Sequence, residues 1–339
     1  MIKRALQLNS LLLLGLVLAG MGGWGVLALY YFDHASTGLR IGLAGTFATV
    51  SLAALIGFAM PRWRWRALAV YAALFAMLLW RWFSIEPSNE RSWQPEVAVL
   101  PYATIDGDRI TVHNIRNFDY RSESDFTPSY YDKTYDLRQL DSVDLIASYW
   151  MGPHIAHTIL SFGFDGKDFL AISIETRKEK NESYSTIQGF FRQYELYYVV
   201  ADERDVIRVR TNYRRDPPED VFVYRLHGPM ENARRLFLGY IEKINVLKER
   251  PEFYNTLTTN CTTTIWTHAR VNPGHLPLSW KLLASGHVPQ YLYESGRLDN
   301  SVPFAELERR SHINARAHAA DNAGDFSQRI RGTQTVAAQ

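Results

Sequence analysis

The residues able to carry covalent chemistry are best sought around the single cysteine, Cys261, in the run Leu257-Thr258-Thr259-Asn260-Cys261-Thr262-Thr263-Thr264-Ile265-Trp266. Asn260 is a favoured helix N-cap, and Ile265, Trp266 and Ala269 share a face, so the spacing predicts a helix starting near Asn260 with the thiol in its first turn. Unpaired N–H groups and the positive dipole end there favour thiolate over thiol. The same donors, next to Asn260 and Thr262, can hold an oxyanion beside the sulfur. A free cysteine is among the most buried residue types, so the bland reading is a packed side chain. A nucleophile needs an imidazole and a group to orient it.

Of ten histidines, His154 and His157 stand out, in His154-Ile155-Ala156-His157-Thr158-Ile159-Leu160-Ser161-Phe162-Gly163-Phe164. A spacing of three on a strand sends them to opposite faces, so at most one meets the cysteine and the pair is a poor metal clamp. Asp165-Gly166-Lys167 reads as a hairpin loop onto Phe169 to Arg177. Pairing Phe164 with Asp168 sets His157 opposite Glu175 on one face. A two-residue Asp-Gly loop moves Glu175 to the other face, and an ion pair with Arg177 or a solvated strand charge is its competing role. In the first register Glu175 orients His157, His157 takes the thiol proton, and Cys261 attacks a carbonyl. Whether Tyr254 completes the oxyanion site stays open.

These side chains need a sheet and at least two helices to position them. Strand-like runs occur at Arg109 to Arg116, His154 to Phe164, Phe169 to Arg177, Tyr194 to Ala201, Val206 to Thr211 and Val221 to Leu226, suiting one antiparallel sheet. Glu231 to Lys248 places Leu236, Phe237, Tyr240, Ile241, Ile244 and Leu247 at helical spacing, and Pro251 follows. The expected class is α+β, with a domain over 101–310, a polar, Pro-containing linker over 86–100, and a loosely docked or mobile tail over 311–339 that lacks an apolar period.

Ahead of the domain, 1–85 holds three apolar runs, roughly Leu8 to Phe32, Leu39 to Met60 and Ala67 to Phe83. Each approaches the ~20 residues that cross ~30 Å of hydrocarbon. The first is longer than the ~7–15-residue core of a cleaved signal and lacks a small-x-small exit, so three retained transmembrane helices are expected. Lys3, Arg4, Arg62, Arg64 and Arg66 against one arginine in the first loop place the amino terminus and second loop in the cytoplasm. Trp80, Trp82 and Phe83 then sit at the far interface, and the domain follows into the periplasm of a Gram-negative cell: a multi-pass protein of the inner membrane. With 37 basic and 35 acidic residues spread along 339, nucleic acid is a poor partner. One cysteine excludes an internal disulfide, no carboxylate cluster has metal-ligand spacing, and no glycine-rich nucleotide motif is present, so no cofactor is expected.

The segments Arg109 to Phe118, His157-Thr158, Ala171 to Arg177 and Leu257-Thr258-Thr259-Asn260-Cys261-Thr262-Thr263 resemble the Lnb N-terminal periplasmic domain, over about Pro101 to Leu307. The order, histidine on a strand, a polar residue on the next, then Asn-Cys at a helix start, is similar to the circularly permuted papain-like arrangement shared with lecithin:retinol acyltransferase and NlpC-type enzymes. Named members are lipoprotein N-acyltransferases. The resemblance therefore implies a thioester at Cys261, formed from a phospholipid acyl donor and passed to the amino terminus of a lipoprotein. This chain differs from those enzymes in placing its three helices before the domain.

The membrane anchor independently favours a lipid donor, by proximity. Arg116, Asn117, Arg121, Tyr130, Tyr131, Tyr135 and Arg177 are candidate contacts for phosphate or polar head groups, with surface strand and loop roles as the alternative. Two further functions stay open: a periplasmic cysteine peptidase or amidase, in which water discharges the acyl-enzyme, and a non-catalytic envelope module in which Cys261 is merely packed.

Overall fold

The computed structural model describes residues 2–31 and 36–332, and the chain divides into two compact units. The first comprises Met1–Ser88 with the segment Ser185–Tyr194. Its helices are α1 (Ile2–Tyr30), α2 (Thr37–Ala59) and α3 (Arg64–Phe83). All three are long and apolar enough to cross a membrane, α1 through its stretch Asn9–Tyr30. The expected end of the first run, Phe32, lies outside the described residues.

Helix packing here rests on small residues as much as large ones: a Cβ on Gly25 would stand 2.4 Å from the Phe47 ring, so only glycine admits this approach. Leu18, Phe47, Phe58, Tyr71 and Leu78 form the buried centre. The outward Leu12, Leu16, Leu52 and Met77 remain exposed, as lipid-facing positions require. From the Ser185–Tyr194 segment, Phe191 packs on Trp82 and Tyr31, and Arg192 donates to the Trp82 carbonyl at 2.9 Å.

The second unit, Asn89–Tyr184 with Glu195–Gln339, is an α+β fold. Its strands are β1 (Tyr102–Asp106), β2 (Arg109–Arg116), β3 (Asp119–Tyr120), β4 (Phe126–Thr127), β5 (Tyr130–Asp136), β6 (Leu140–Tyr149), β7 (Ala156–Phe164), β8 (Asp168–Arg177), β9 (Glu195–Asp202) and β10 (Asp220–Arg225). The main sheet runs β1-β2-β9-β8-β7-β6-β10, with β5 on β2, and β3 and β4 form a separate hairpin. Pairing is antiparallel except where β2 meets β9. The helices are α4 (Glu203–Val206), α5 (Met230–Glu249), α6 (Cys261–Ala269), α7 (Trp280–Leu283), α8 (Val288–Glu294), α9 (Phe304–Ser311), α10 (Asn314–Ala319) and α11 (Phe326–Arg331).

Every residue of β7 is buried, because both sheet faces are covered. On one face Phe162 and Phe164 meet Phe237 of α5, and Phe162 meets Tyr240. On the other, Ile159, Ala171 and Val199 join Trp93, Val97, Ile313, Ala317, Phe326 and Ile330.

Three expectations need correction. Val206 to Thr211 is not a strand: Asp202 caps α4 by accepting from the Arg204 N–H, and a wide helical turn follows over Val209–Tyr213. Val206, Ile207 and Val209 are buried there, and a short buried β-branched run reads alike in a strand or a helical turn. The stretch 86–100 is not a free linker, since Trp93 and Val97 enter the core. The stretch after Ser311 is not loosely docked. Ala317, Phe326 and Ile330 are fully buried, and Arg331 pairs with Glu203 at 2.6 Å and Asp144 at 2.8 Å. Residues 333–339 lie outside the described part.

Candidate active site

The β7–β8 hairpin sets the first half of the site. Asp165 and Gly166 take left-handed backbone angles, φ 53° and 62°, and Lys167 N–H donates to the Phe164 carbonyl at 3.1 Å, closing a three-residue loop on the Phe164–Asp168 pair. Side-chain alternation then carries His157, Ser173 and Glu175 to one face. The β7–β8 ladder stops at Ile159–Ser173, yet the side chains beyond it still meet. His157 Nε2 lies 3.0 Å from Glu175 Oε1 and 2.7 Å from Ser173 Oγ, and the Ser173 hydroxyl donates to Glu175 at 2.7 Å.

The second half comes from α6. Asn260 is the N-cap: its Oδ1 accepts from the Thr263 N–H at 2.8 Å, placing Cys261 at the first helical position. This cap leaves the Cys261 and Thr262 N–H groups without an acceptor among the described residues, as expected for the first turn. Thr262 is buried, with its Oγ1 3.8 Å from the sulfur and 3.1 Å from Thr158 Oγ1.

Electrostatics bind the two halves. Burial pushes the Cys261 thiol up. The charge and hydrogen bond of His157, with the Thr158 N–H and hydroxyl, outweigh it and bring the group to about 6. Burial lowers His157, but Glu175 and the thiol overcome it and raise the imidazole to about 9. Burial raises the Glu175 carboxyl, and His157, Arg210 and Ser173 together hold it well below the usual range. Between about pH 6 and 9 the favoured state is thus thiolate, imidazolium and carboxylate. Nε2–H then faces Glu175 and Ser173.

The structure brings together Cys261, His157, Glu175, Asn260 and Thr262, and not the three arginines. Arg177 lies over the Trp93 ring at 4.2 Å and spends its donors on Val97 O, Ala98 O and Asn89 Oδ1, inside the core. Arg116 is buried in a two-pronged pair with Asp205. Arg121 is exposed on the β3–β4 hairpin, bonded to Asp125 and Thr127. His154 precedes β7 and meets His287 at 2.9 Å instead.

Three participants were missed, and Tyr254, left open above, lies close by. Ser173 shares the Glu175 face two residues earlier, a signal available in the alternation. Arg210 donates to Glu175 at 3.0 Å and to Glu219 at 3.1 Å, and Glu219 is also held by Arg214 and Ser148. No sequence signal marks that long-range chain. Thr158 is found only through its contact with α6. Tyr254 is buried near the thiol, its phenol pushed up by burial and by the Cys261 charge.

Beside the thiol a largely apolar cavity of about 190 Å³ opens between the sheet and α5 and α6. Thr158 and Thr262 line it at the thiol end, with Leu145, Leu160, Leu236, Trp266 and Leu282 along its walls. Its exposed rim is formed by His227–Pro229 and Pro273–His275.

An α+β domain that aims an imidazole–carboxylate pair at a cysteine on a helix start, on a chain with three membrane-length helices, is the class defined here. Residues 126–286 match the family model of the Lnb N-terminal periplasmic domain, the family that the sequence motifs resemble, and the matched segment contains His157, Glu175 and Cys261. No curated protein and no solved structure matches the chain significantly. The periplasmic-domain family and the three apolar helices are consistent with a membrane protein of the cell envelope that carries a periplasmic domain.

Proposed function

We propose that this chain is a thiol acyltransferase of the bacterial inner membrane that takes an acyl group from a phospholipid onto Cys261 and passes it to the amino terminus of a lipoprotein. The domain is read as a circularly permuted papain-like one, with histidine and carboxylate on successive strands ahead of the cysteine helix. The observation that carries the reading is the His157–Glu175 pair at 3.0 Å, electrostatically coupled to Cys261 at the capped start of α6.

In this reading the thiolate attacks the ester carbonyl, and the Cys261 and Thr262 N–H groups receive the developing oxyanion. As the acyl C–O bond breaks, His157 gives its proton to the leaving alkoxide, leaving a thioester and a lysophospholipid. The acceptor amine then attacks the thioester and loses a proton to His157, and the amide forms as the thiolate departs. Glu175 balances the imidazolium in both half-reactions, with Ser173 and Arg210 fixing its carboxylate. The apolar cavity beside the thiol favours a lipid donor over a peptide.

The test is to express the full chain in bacterial membranes with a clickable fatty acid and look for hydroxylamine-labile label. Label on the wild type that is lost in Cys261→Ala and strongly reduced in His157→Ala supports the reading. Folded protein with no label on Cys261 refutes it and moves the assignment to a cysteine peptidase or a non-catalytic module.

A further inference from the structure

The cavity has a position, a volume and an open end that together specify its occupant more closely than the reaction does. Cys261 does not itself line it, but Thr262 does, with its hydroxyl 3.8 Å from the sulfur and 3.1 Å from that of Thr158, a second lining residue, and the walls beyond are largely aliphatic and aromatic. Of its polar side chains, His227, His275 and Arg297 belong to the rim loops or reach them, Arg297 bonding to the Gly274 carbonyl at 2.7 Å, and the amide oxygens of Asn232 and Asn272 are already taken by Arg235. A path lined this way offers nothing to a peptide backbone, which would bury unpaired N–H and C=O groups. It suits a hydrocarbon chain whose carbonyl is held at the thiol.

Volume sets how much chain it holds. An apolar cavity of about 150 Å³ takes up benzene, six carbons. About 190 Å³ therefore accommodates roughly eight carbons, well short of a membrane acyl chain. The far end is not closed, since the rim residues His227–Pro229 and Pro273–His275 are exposed.

We propose that this cavity is an open-ended acyl-chain site: the first eight or so carbons of a straight-chain acyl group lie between the Thr158–Thr262 pair and the rim, and the remainder leaves between the two rim loops. This rests on the acyl-transfer reading and adds its selectivity. Reactivity rises with chain length while methylenes are still entering the cavity, then levels off without falling. A chain branched near the carbonyl meets the paired Thr158 and Thr262 hydroxyls and is disfavoured.

The test uses the detergent-solubilised full chain and a series of straight-chain thiophenyl esters from two to sixteen carbons, measuring the rate of Cys261 acylation by intact mass. Burial of each methylene favours binding by about fourfold, so the second-order rate constant is expected to climb steeply from two to about eight carbons and then to plateau. Ala233→Phe, which turns a ring into the cavity from α5, should move the break to shorter chains and leave the two-carbon ester unchanged. Ala269→Leu, from α6, should do so to a smaller degree. Reaction of Cys261 with a small uncharged disulfide reports whether each variant keeps its site. Acylation independent of chain length, or a profile that neither variant alters while the disulfide rate is preserved, overturns the cavity assignment and leaves acyl transfer standing. No acylation by any ester overturns acyl transfer itself.

Discussion

Replacing His157 by glutamine should change the ionisation of Cys261 by a predictable amount. The thiol sits at about 6 rather than near 9, because the imidazolium and the Thr158 donors outweigh its burial. At pH 7 about nine-tenths is then thiolate, against about one-hundredth for an ordinary thiol, a ratio of ~90. In His157→Gln the charge is gone and the burial remains, so the midpoint should return to 9 or above.

The rate changes less than the ionisation, because a more basic thiolate is the better nucleophile. A Brønsted slope of about 0.45 over three units returns a factor of ~20. The net loss toward a disulfide is then only about fourfold at pH 7. At pH 5, where the thiolate ratio is ~900, it grows to about fortyfold. Since Cys261 is the chain's single cysteine, stopped-flow reaction of the full protein with a small uncharged disulfide between pH 4.5 and 10 reads this site alone. A wild-type midpoint above 8, or a midpoint in His157→Gln that stays near 6, would refute the thiolate–imidazolium pair.

Two further outcomes follow from the networks around the site. Arg331→Met leaves the buried Glu203 carboxylate without its cation, while Asp144 keeps Arg225 at 2.6 Å, and should cost about 3–5 kcal/mol, seen as a lower thermal midpoint by circular dichroism. An unchanged midpoint would mean that α11 is not integral to the core. Glu219 is held at about 2 by Arg210 and Arg214 against the cost of its burial. Its folded value is depressed, so its contribution is present above the unfolded value near 4.5 and is lost as pH falls from there through 2. It amounts to about 3 kcal/mol, and Glu219→Gln should flatten that stretch of the stability curve in acid unfolding monitored by fluorescence.

What was legible in the sequence was whatever local rules determine. Asp165-Gly166-Lys167 closes an odd loop, and the alternation of β7 and β8 then leaves one partner for His157. Asn260 before an apolar-faced run announces the helix that carries the thiol. What escaped was charge inside the fold. Arg177, Arg116 and Arg331 look like surface cations by type, but each is buried because distant carbonyls or carboxylates receive its donors: Val97 and Ala98, Asp205, and Glu203 with Asp144. Arg210 was hidden twice, by a helical turn that reads as a strand and by a partner 35 residues away. The last segment lacks an apolar period because its buried residues lie on short separate helices, each too brief to display one.

The alternation of β7 also separates two functions between neighbouring residues. His157 turns to the face of Ser173, Glu175 and Arg210, where charge is set. Thr158 and Leu160 turn to the face of α5 and α6, where the apolar cavity lies. The sulfur of Cys261 stands where the β7–β8 ladder ends, so it draws its imidazole from one face and its backbone donor from Thr158. Substitutions on the His157 face should therefore shift the pH midpoint of the thiol and leave the chain-length profile in place. Those at Leu160 should alter the profile at a fixed midpoint, whereas Thr158, which lines the cavity and whose hydroxyl also favours the thiolate, should move both. Any other single exchange that moved both would show that the strand, rather than its side chains, had shifted.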